Sequence, residues 1–175
     1  MTEIETEKLL RAGRKRPLYA AGAGARIVSF GRTEVERLLP HRPPFLFVDG
    51  ISSVDLAERA IVGTRRIDPA DPVLRGHFPG DPVYPGVLLV ESVAQLCVCL
   101  FAFLKGREAG PPPRLRLIQL HHAAFVNEAR PGDELTLVGK LVEEGGYTAV
   151  AAGQVLKEDA VCAVAIMEVY LLDEE

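Results

Sequence analysis

The stretch GVLLVESVAQLCVCLFAFL, Gly86–Leu104, decides how this chain folds. It is too long for a strand and apolar nearly all round, which predicts a helix covered on most sides. Its length would also cross a bilayer. Yet Glu91, Ser92 and Gln95 lie within it, and a charge in mid-membrane is costly. No positive cluster flanks its start, so it reads as the buried helix of a soluble domain.

The rest of the chain supplies the cover. After Gly110-Pro111-Pro112-Pro113 come four β-like runs, Leu115–Val126, Glu134–Glu143, Tyr147–Leu156 and Ala160–Tyr170. Gly145-Gly146 and Glu158-Asp159 are the turn candidates between the last three. Upstream, Phe45–Val48 reads as the start of a strand and Ala60–Gly63 as its hairpin partner. Between strands and helix, Pro69, Pro72, Pro79, Pro82 and Pro85 exclude regular structure and predict a long braced loop. The predicted class is α+β, an antiparallel sheet ending in a four-stranded meander and wrapped around one long central helix.

The N-terminal part is less regular. Thr33 to Glu36 fits a capping box, with a short helix through Leu39 stopped by Pro40. Residues 1–32 lack clear periodicity and read as an N-terminal extension carrying a short helix near Glu7–Ala12. Residues 33–175 then form a single domain. Glu3, Glu5 and Glu7 precede the basic cluster Arg11, Arg14, Lys15 and Arg16, which argues against an organellar transit peptide. The first long apolar run comes too late for a secretory signal.

At 48% apolar and 25% charged residues, the composition is that of a folded domain. A net charge of −4 argues against nucleic acid as the main partner. Cys97, Cys99 and Cys162 sit among apolar neighbours and read as reduced, buried thiols of a cytoplasmic protein. His121 and His122, adjacent on a strand, point to opposite faces and form no metal set, and nothing in the chain calls for a cofactor. His41 in PHRPPF reads as a turn-shaping residue.

Two titratable residues remain. Glu91 shares a helix face with Val87, Leu88, Ala94 and Val98, where desolvation would favour the neutral acid that a proton donor requires. A structural ion pair with an arginine is the competing reading. His77 lies in the proline-braced loop, held still as a general base must be. A loop carbonyl such as that of Val83 could accept one ring N–H and leave the other nitrogen free. Pro85-Gly86 starts the helix, and the free amides of Gly86 and Val87 form a site for a developing oxyanion. If that oxygen belongs to a thioester, His77 could take the α-proton and Glu91 could protonate a departing β-hydroxyl. The sum is β-elimination of water from a 3-hydroxyacyl thioester.

The stretch GHFPGDPVYPGVLLVESVAQ, Gly76–Gln95, resembles the active-site signature of the 3-hydroxyacyl-acyl carrier protein dehydratases of fatty acid synthesis. LLPHRPPFLFVD at Leu38–Asp49 is similar to the opening of the Z-type, non-isomerising enzymes, and AAFVNEARPGDEL at Ala123–Leu135 to a family strand and turn. The resemblance spans Thr33 to Tyr170 and implies the hotdog fold. It implies catalytic roles for His77 and Glu91, carbonyl polarisation by the Gly86 amide and orientation of His77 by the Val83 carbonyl. Val87 and Phe78 complete the implied substrate contacts. Glutamate at position 91 is the Z-type choice. GDPVYPG and the N-terminal KLLRAGRKRPLY instead resemble the A-type enzymes, which also isomerise the double bond.

The implied partners are an acyl carrier protein and a second copy of this chain, in a homodimer that can assemble further into a trimer of dimers. The dimer would share its sites between subunits and hold an acyl tunnel between them. Arg65, Arg66, Lys105, Arg107, Arg114 and Arg116 are candidates for a basic rim facing the carrier protein. Leu88, Val98 and Phe101 read as helix core. Two other functions stay open. A hotdog thioesterase would use the helix carboxylate with water and leave His77 idle. A non-catalytic acyl-binding subunit of a dehydratase complex would need neither His77 nor Glu91.

Overall fold

The computed structural model describes residues 2–172. Its central element is helix α3, Gly86–Leu104, with the bounds its apolar run predicts. The helix is long and apolar enough to cross a membrane by length and composition, and 67% of its apolar window is buried inside the protein. Seven antiparallel strands supply the cover: β1 (Arg26–Phe30), β2 (Gly50–Asp55), β3 (Ala60–Arg66), β4 (Leu115–Phe125), β5 (Glu134–Gly145), β6 (Thr148–Lys157) and β7 (Ala160–Leu171). Two further helices are α1 (Glu3–Gly13) and α2 (Arg32–Leu38).

The sheet order is β1-β2-β3-β5-β6-β7-β4. The last four strands are therefore not a sequential meander. Only β5-β6-β7 follow one another; β4 pairs with β7 at the far edge, while β5 pairs back onto β3. The strand that follows α3 thus takes the far edge, and β5-β6-β7 fill the space between it and β3.

A backbone without side chains lets α3 lie close to the sheet. A Cβ at Gly153 in β6 would stand 2.6 Å from the Val93 Cβ of the helix, closer than packed carbons tolerate. Gly153→Ala should therefore push α3 off the sheet and cost about 1–3 kcal/mol. For a chain of this size that lowers the thermal midpoint by roughly 2–4 °C per kcal/mol, readable by circular dichroism.

Three local expectations need correction. The segment Phe45–Val48 is extended but not a strand, because its backbone is bonded to a side chain: Phe47 N–H donates to Gln95 Oε1 (2.8 Å) and Gln95 Nε2 donates to the Phe45 carbonyl (3.0 Å). Helix α2 starts at Arg32, with Gly31 N–H donating to Glu34 (3.0 Å), so Glu34 and not Glu36 reaches back. That frame buries Val35 and Leu38, three residues apart on one face. The proline-rich loop holds one turn of 3₁₀ helix, Pro72–Arg75, begun by Asp71 accepting the Val73 N–H (3.0 Å).

The N-terminal 32 residues are also more ordered than an irregular arm. Thr2 and Glu5 cap α1 reciprocally, and β1 extends the sheet by pairing with β2. Between them, buried Gln154 of β6 donates to the Gly13 and Arg16 carbonyls and accepts the Leu18 N–H (2.8 Å).

Candidate active site

His77 is held from several sides. Its Nδ1 lies 2.8 Å from the Val83 carbonyl. A carbonyl only accepts, so Nδ1 carries the proton and the neutral ring presents Nε2 as a lone pair. The loop is closed by Val83 N–H to the His77 carbonyl (3.0 Å) and Tyr84 N–H to the Ala129 carbonyl (2.7 Å). Gly80 turns it at φ +87°, a backbone conformation that favours glycine. Phe78 stacks on the imidazole at 4.0 Å between centroids and is itself half exposed. Outside, Arg130 joins the loop's Asp81 to Glu128, and that guanidinium holds the Asp81 carboxyl below its usual range.

Behind the loop lies a buried cation. Arg65 was a candidate for a basic rim, but it is only 7% exposed. Its side chain faces the core, with the guanidinium over the Phe47 and Tyr84 rings and Nη2 donating to the Tyr84 hydroxyl (3.3 Å). It thereby ties the Phe45–Asp49 segment to the His77 loop, while burial pushes the Tyr84 hydroxyl above its ordinary range.

The start of α3 completes this half of the site. The first amides bonded within the helix are those of Leu88 and Leu89, both to the Pro85 carbonyl, which leaves the Gly86 and Val87 N–H groups outside the ladder. A Cβ at Gly86 would come within 2.6 Å of the Phe125 ring, so only glycine keeps this close approach. His77, Val83, Gly86 and Val87 line one cavity of about 340 Å³ with Phe125 and Ala129.

Glu91 opens elsewhere. Five residues along a helix is a rotation of about 140°, so Gly86 and Glu91 face different sides of α3. Glu91 lines a second cavity of about 200 Å³ with His41, Gln95, Val98, Phe101 and Leu117. Val98 and Phe101, read as plain core from the sequence, are walls of this cavity; Leu88 is partly buried against the core. The expected desolvation of Glu91 is incomplete in one chain, for its side chain keeps 26% exposure. Here the carboxylate borders a cavity that the single chain leaves open.

Two neighbours of Glu91 escaped the sequence reading. Gln95 Nε2 donates to Glu91 Oε1 (3.0 Å) while the same amide holds both ends of the Phe45–Phe47 segment. Its place four residues after Glu91 was the available signal. His41 Nε2 stands 3.9 Å from Glu91 Oε1, and its buried Nδ1 has no hydrogen-bond partner among the described residues. Nothing in PHRPPF announces that proximity, which the turn and α2 create. Gln95→Leu should lower stability by about 1–3 kcal/mol through the unpaired backbone groups. It should also cut kcat by about ten- to a hundredfold through misplacement of Glu91. A melt and steady-state kinetics read the two effects separately.

Cys97 lines the Glu91 cavity, and burial pushes its thiol up to about 12, so it is a neutral wall at physiological pH. On the outer face, β4 bulges between Leu120 and His122, and a bulge breaks the alternation of faces. His121 and His122 consequently line one polar groove, with His121 Nε2 3.0 Å from Glu168. Among the described residues, no group of three or more His, Cys, Asp or Glu is placed to hold a metal.

An antiparallel sheet curled round one long helix is the hotdog fold. The dehydratase heterocomplex ApeI:P from Xenorhabdus doucetiae shares it at a TM-score of 0.65 and 16% identity, over 85% of this chain and 95% of that one. The chain belongs to the FabA-like family, whose FabA-like domain matches residues 39–166. Among its relatives, the 3-hydroxyacyl-acyl-carrier-protein dehydratase FabZ of Thermotoga neapolitana is 39% identical over 131 residues, covering 75% of this chain and 90% of that protein. The FabZ of Campylobacter concisus is 30% identical over 144 residues, covering 81% and 97%.

Proposed function

We propose that this protein is a hydro-lyase that removes water from 3-hydroxyacyl-acyl carrier protein thioesters to give trans-2-enoyl thioesters in fatty acid synthesis. The observation that carries the reading is the oriented imidazole of His77, its Nδ1 on the Val83 carbonyl, in one cavity with the free amides at the start of α3. The Gly86 amide, assisted by Val87, holds the thioester oxygen as charge builds there. His77 Nε2 takes the α-proton. Glu91 delivers a proton to the β-hydroxyl, and the C–O bond breaks as the α–β double bond forms and water leaves. The stacked Phe78 steadies the ring and borders the substrate.

Since His77 and Glu91 open into separate cavities, we assign a complete site to two subunits. The homodimer is supported by the edge of β4, which pairs on one side only among the described residues and exposes Leu117, Ile118, Leu120 and Phe125. Further assembly to a trimer of dimers, a cytoplasmic setting and residues 33–175 as the catalytic unit belong to the same reading.

The test is absorbance of the conjugated enoyl thioester after adding 3-hydroxybutyryl and longer 3-hydroxyacyl thioesters. Enoyl product that disappears in His77→Ala and Glu91→Gln supports dehydration. Free thiol without enoyl product would make the protein a thioesterase. Acyl binding without turnover would make it a non-catalytic subunit. Non-conjugated enoyl products in the same traces would add isomerisation.

A further inference from the structure

The cavity beyond Glu91 has an end, and the residues that form it are identifiable. Glu91, Ala94, Val98 and Phe101 follow one another at spacings of three, four and three, a single stripe along α3. All four line the cavity, and Leu115 and Leu117 of β4 with Met167 and Val169 of β7 form the facing wall. Apart from Glu91, His41 and Gln95 the residues of this lining are apolar. A much smaller void of about 10 Å³ lies past it, lined by Phe101, Lys105, Arg107, Pro113, Arg114, Leu115 and Leu171. Only Phe101 and Leu115 border both spaces, so these two side chains form the partition. Phe101 is 2% exposed and its ring is the bulkier half of that wall.

We infer that Phe101, seconded by Leu115, is the end-stop of the acyl cavity and limits the protein to apolar chains of medium length. The inference rests on the dehydratase reading for the position of the reacting carbon beside Glu91. Ten residues of helix separate Glu91 from Phe101, about 15 Å. A zigzag of ~1.5 Å carbon bonds advances ~1.25 Å per carbon. With a van der Waals gap of ~4 Å at the ring, about nine carbons fit beyond the hydroxyl-bearing one, a chain of about twelve carbons. A longer tail presses on Phe101, and past the ring it meets cationic side chains instead of apolar ones.

The experiment is kcat/KM of the full chain over a series of straight 3-hydroxyacyl thioesters from four to sixteen carbons. The wild type should fall at least tenfold between about twelve and sixteen carbons, as the tail outgrows the cavity. Phe101→Ala should raise the sixteen-to-four-carbon ratio by about tenfold or more, with Leu115→Ala moving it in the same direction by less. Val98→Phe, which fills the cavity nearer Glu91, should lower the twelve-to-four-carbon ratio. If Phe101→Ala does not fold, as circular dichroism would reveal, Phe101→Leu takes its place. Identical profiles in wild type and folded variants overturn the inference. No enoyl product from any chain length in the wild type overturns the dehydratase reading instead. The end-stop is then decided by calorimetric binding of an acyl-pantetheine length series, where a break moved by Phe101→Leu supports it and an unmoved or absent break overturns it.

Discussion

Mixing two inactive variants is expected to restore activity. His77→Ala removes the base from one cavity and Glu91→Gln removes the acid from the other. If each complete site draws His77 from one subunit and Glu91 from its partner, a mixed dimer has one doubly damaged site and one intact site. Random exchange between equal amounts then returns about a quarter of wild-type activity, because half the dimers are mixed and each has one working site of two. The measurement is dehydration by the two variants, first alone and then co-refolded or co-expressed. A mixture as silent as its parts would sink the shared-site geometry. The rotation of about 140° between Gly86 and Glu91 is why recovery is expected.

Removing His77 is expected to have the largest effect of any single substitution. His77→Ala takes away the Nε2 lone pair and the geometry set by the Val83 carbonyl. General acid–base catalysis of this kind is worth roughly 10²–10⁴-fold, so kcat should fall by about a thousandfold or more. KM should change little, since the Gly86 and Val87 amides and the apolar cavities remain. Glu91→Gln should be nearly as severe, and the double variant little worse than either alone, because base and acid act in one elimination. A His77→Ala variant with kcat within tenfold of wild type would remove the histidine from the mechanism.

Much of this architecture follows from local pattern. The bounds of α3 came directly from its apolar run, because a long segment without alternation has no other buried form. Strands β5, β6 and β7 lie within two residues of their predicted spans, for each is a β-like run set off by the turn residues at Gly145-Gly146 or Glu158-Asp159. Phe45–Val48 misled, since its β-like residues bond to the Gln95 amide in place of a strand. The pair His121-His122 misled because one bulge cancels alternation, and a bulge is set by pairing partners distant in the chain.

The site divides in the same way. Placing His77, Val83, Gly86 and Glu91 in one candidate site needed only nearby residues: a proline-braced loop, a helix start and one carboxylate in an apolar run. The hydrogen bond from His77 to Val83 spans six residues and could be anticipated for that reason. By itself the sequence determined the central helix and the sheet around it, and it singled out His77 and Glu91 as the candidate pair, because helix, loop and acid are written in contiguous residues. Only the tertiary structure decided that Arg65 is a buried tie rather than a rim, that His41 and Gln95 attend Glu91, and that His77 and Glu91 open on different sides of α3. Those facts depend on which strands meet and which way a helix is turned, and such contacts join residues whose separation along the chain carries no local signal.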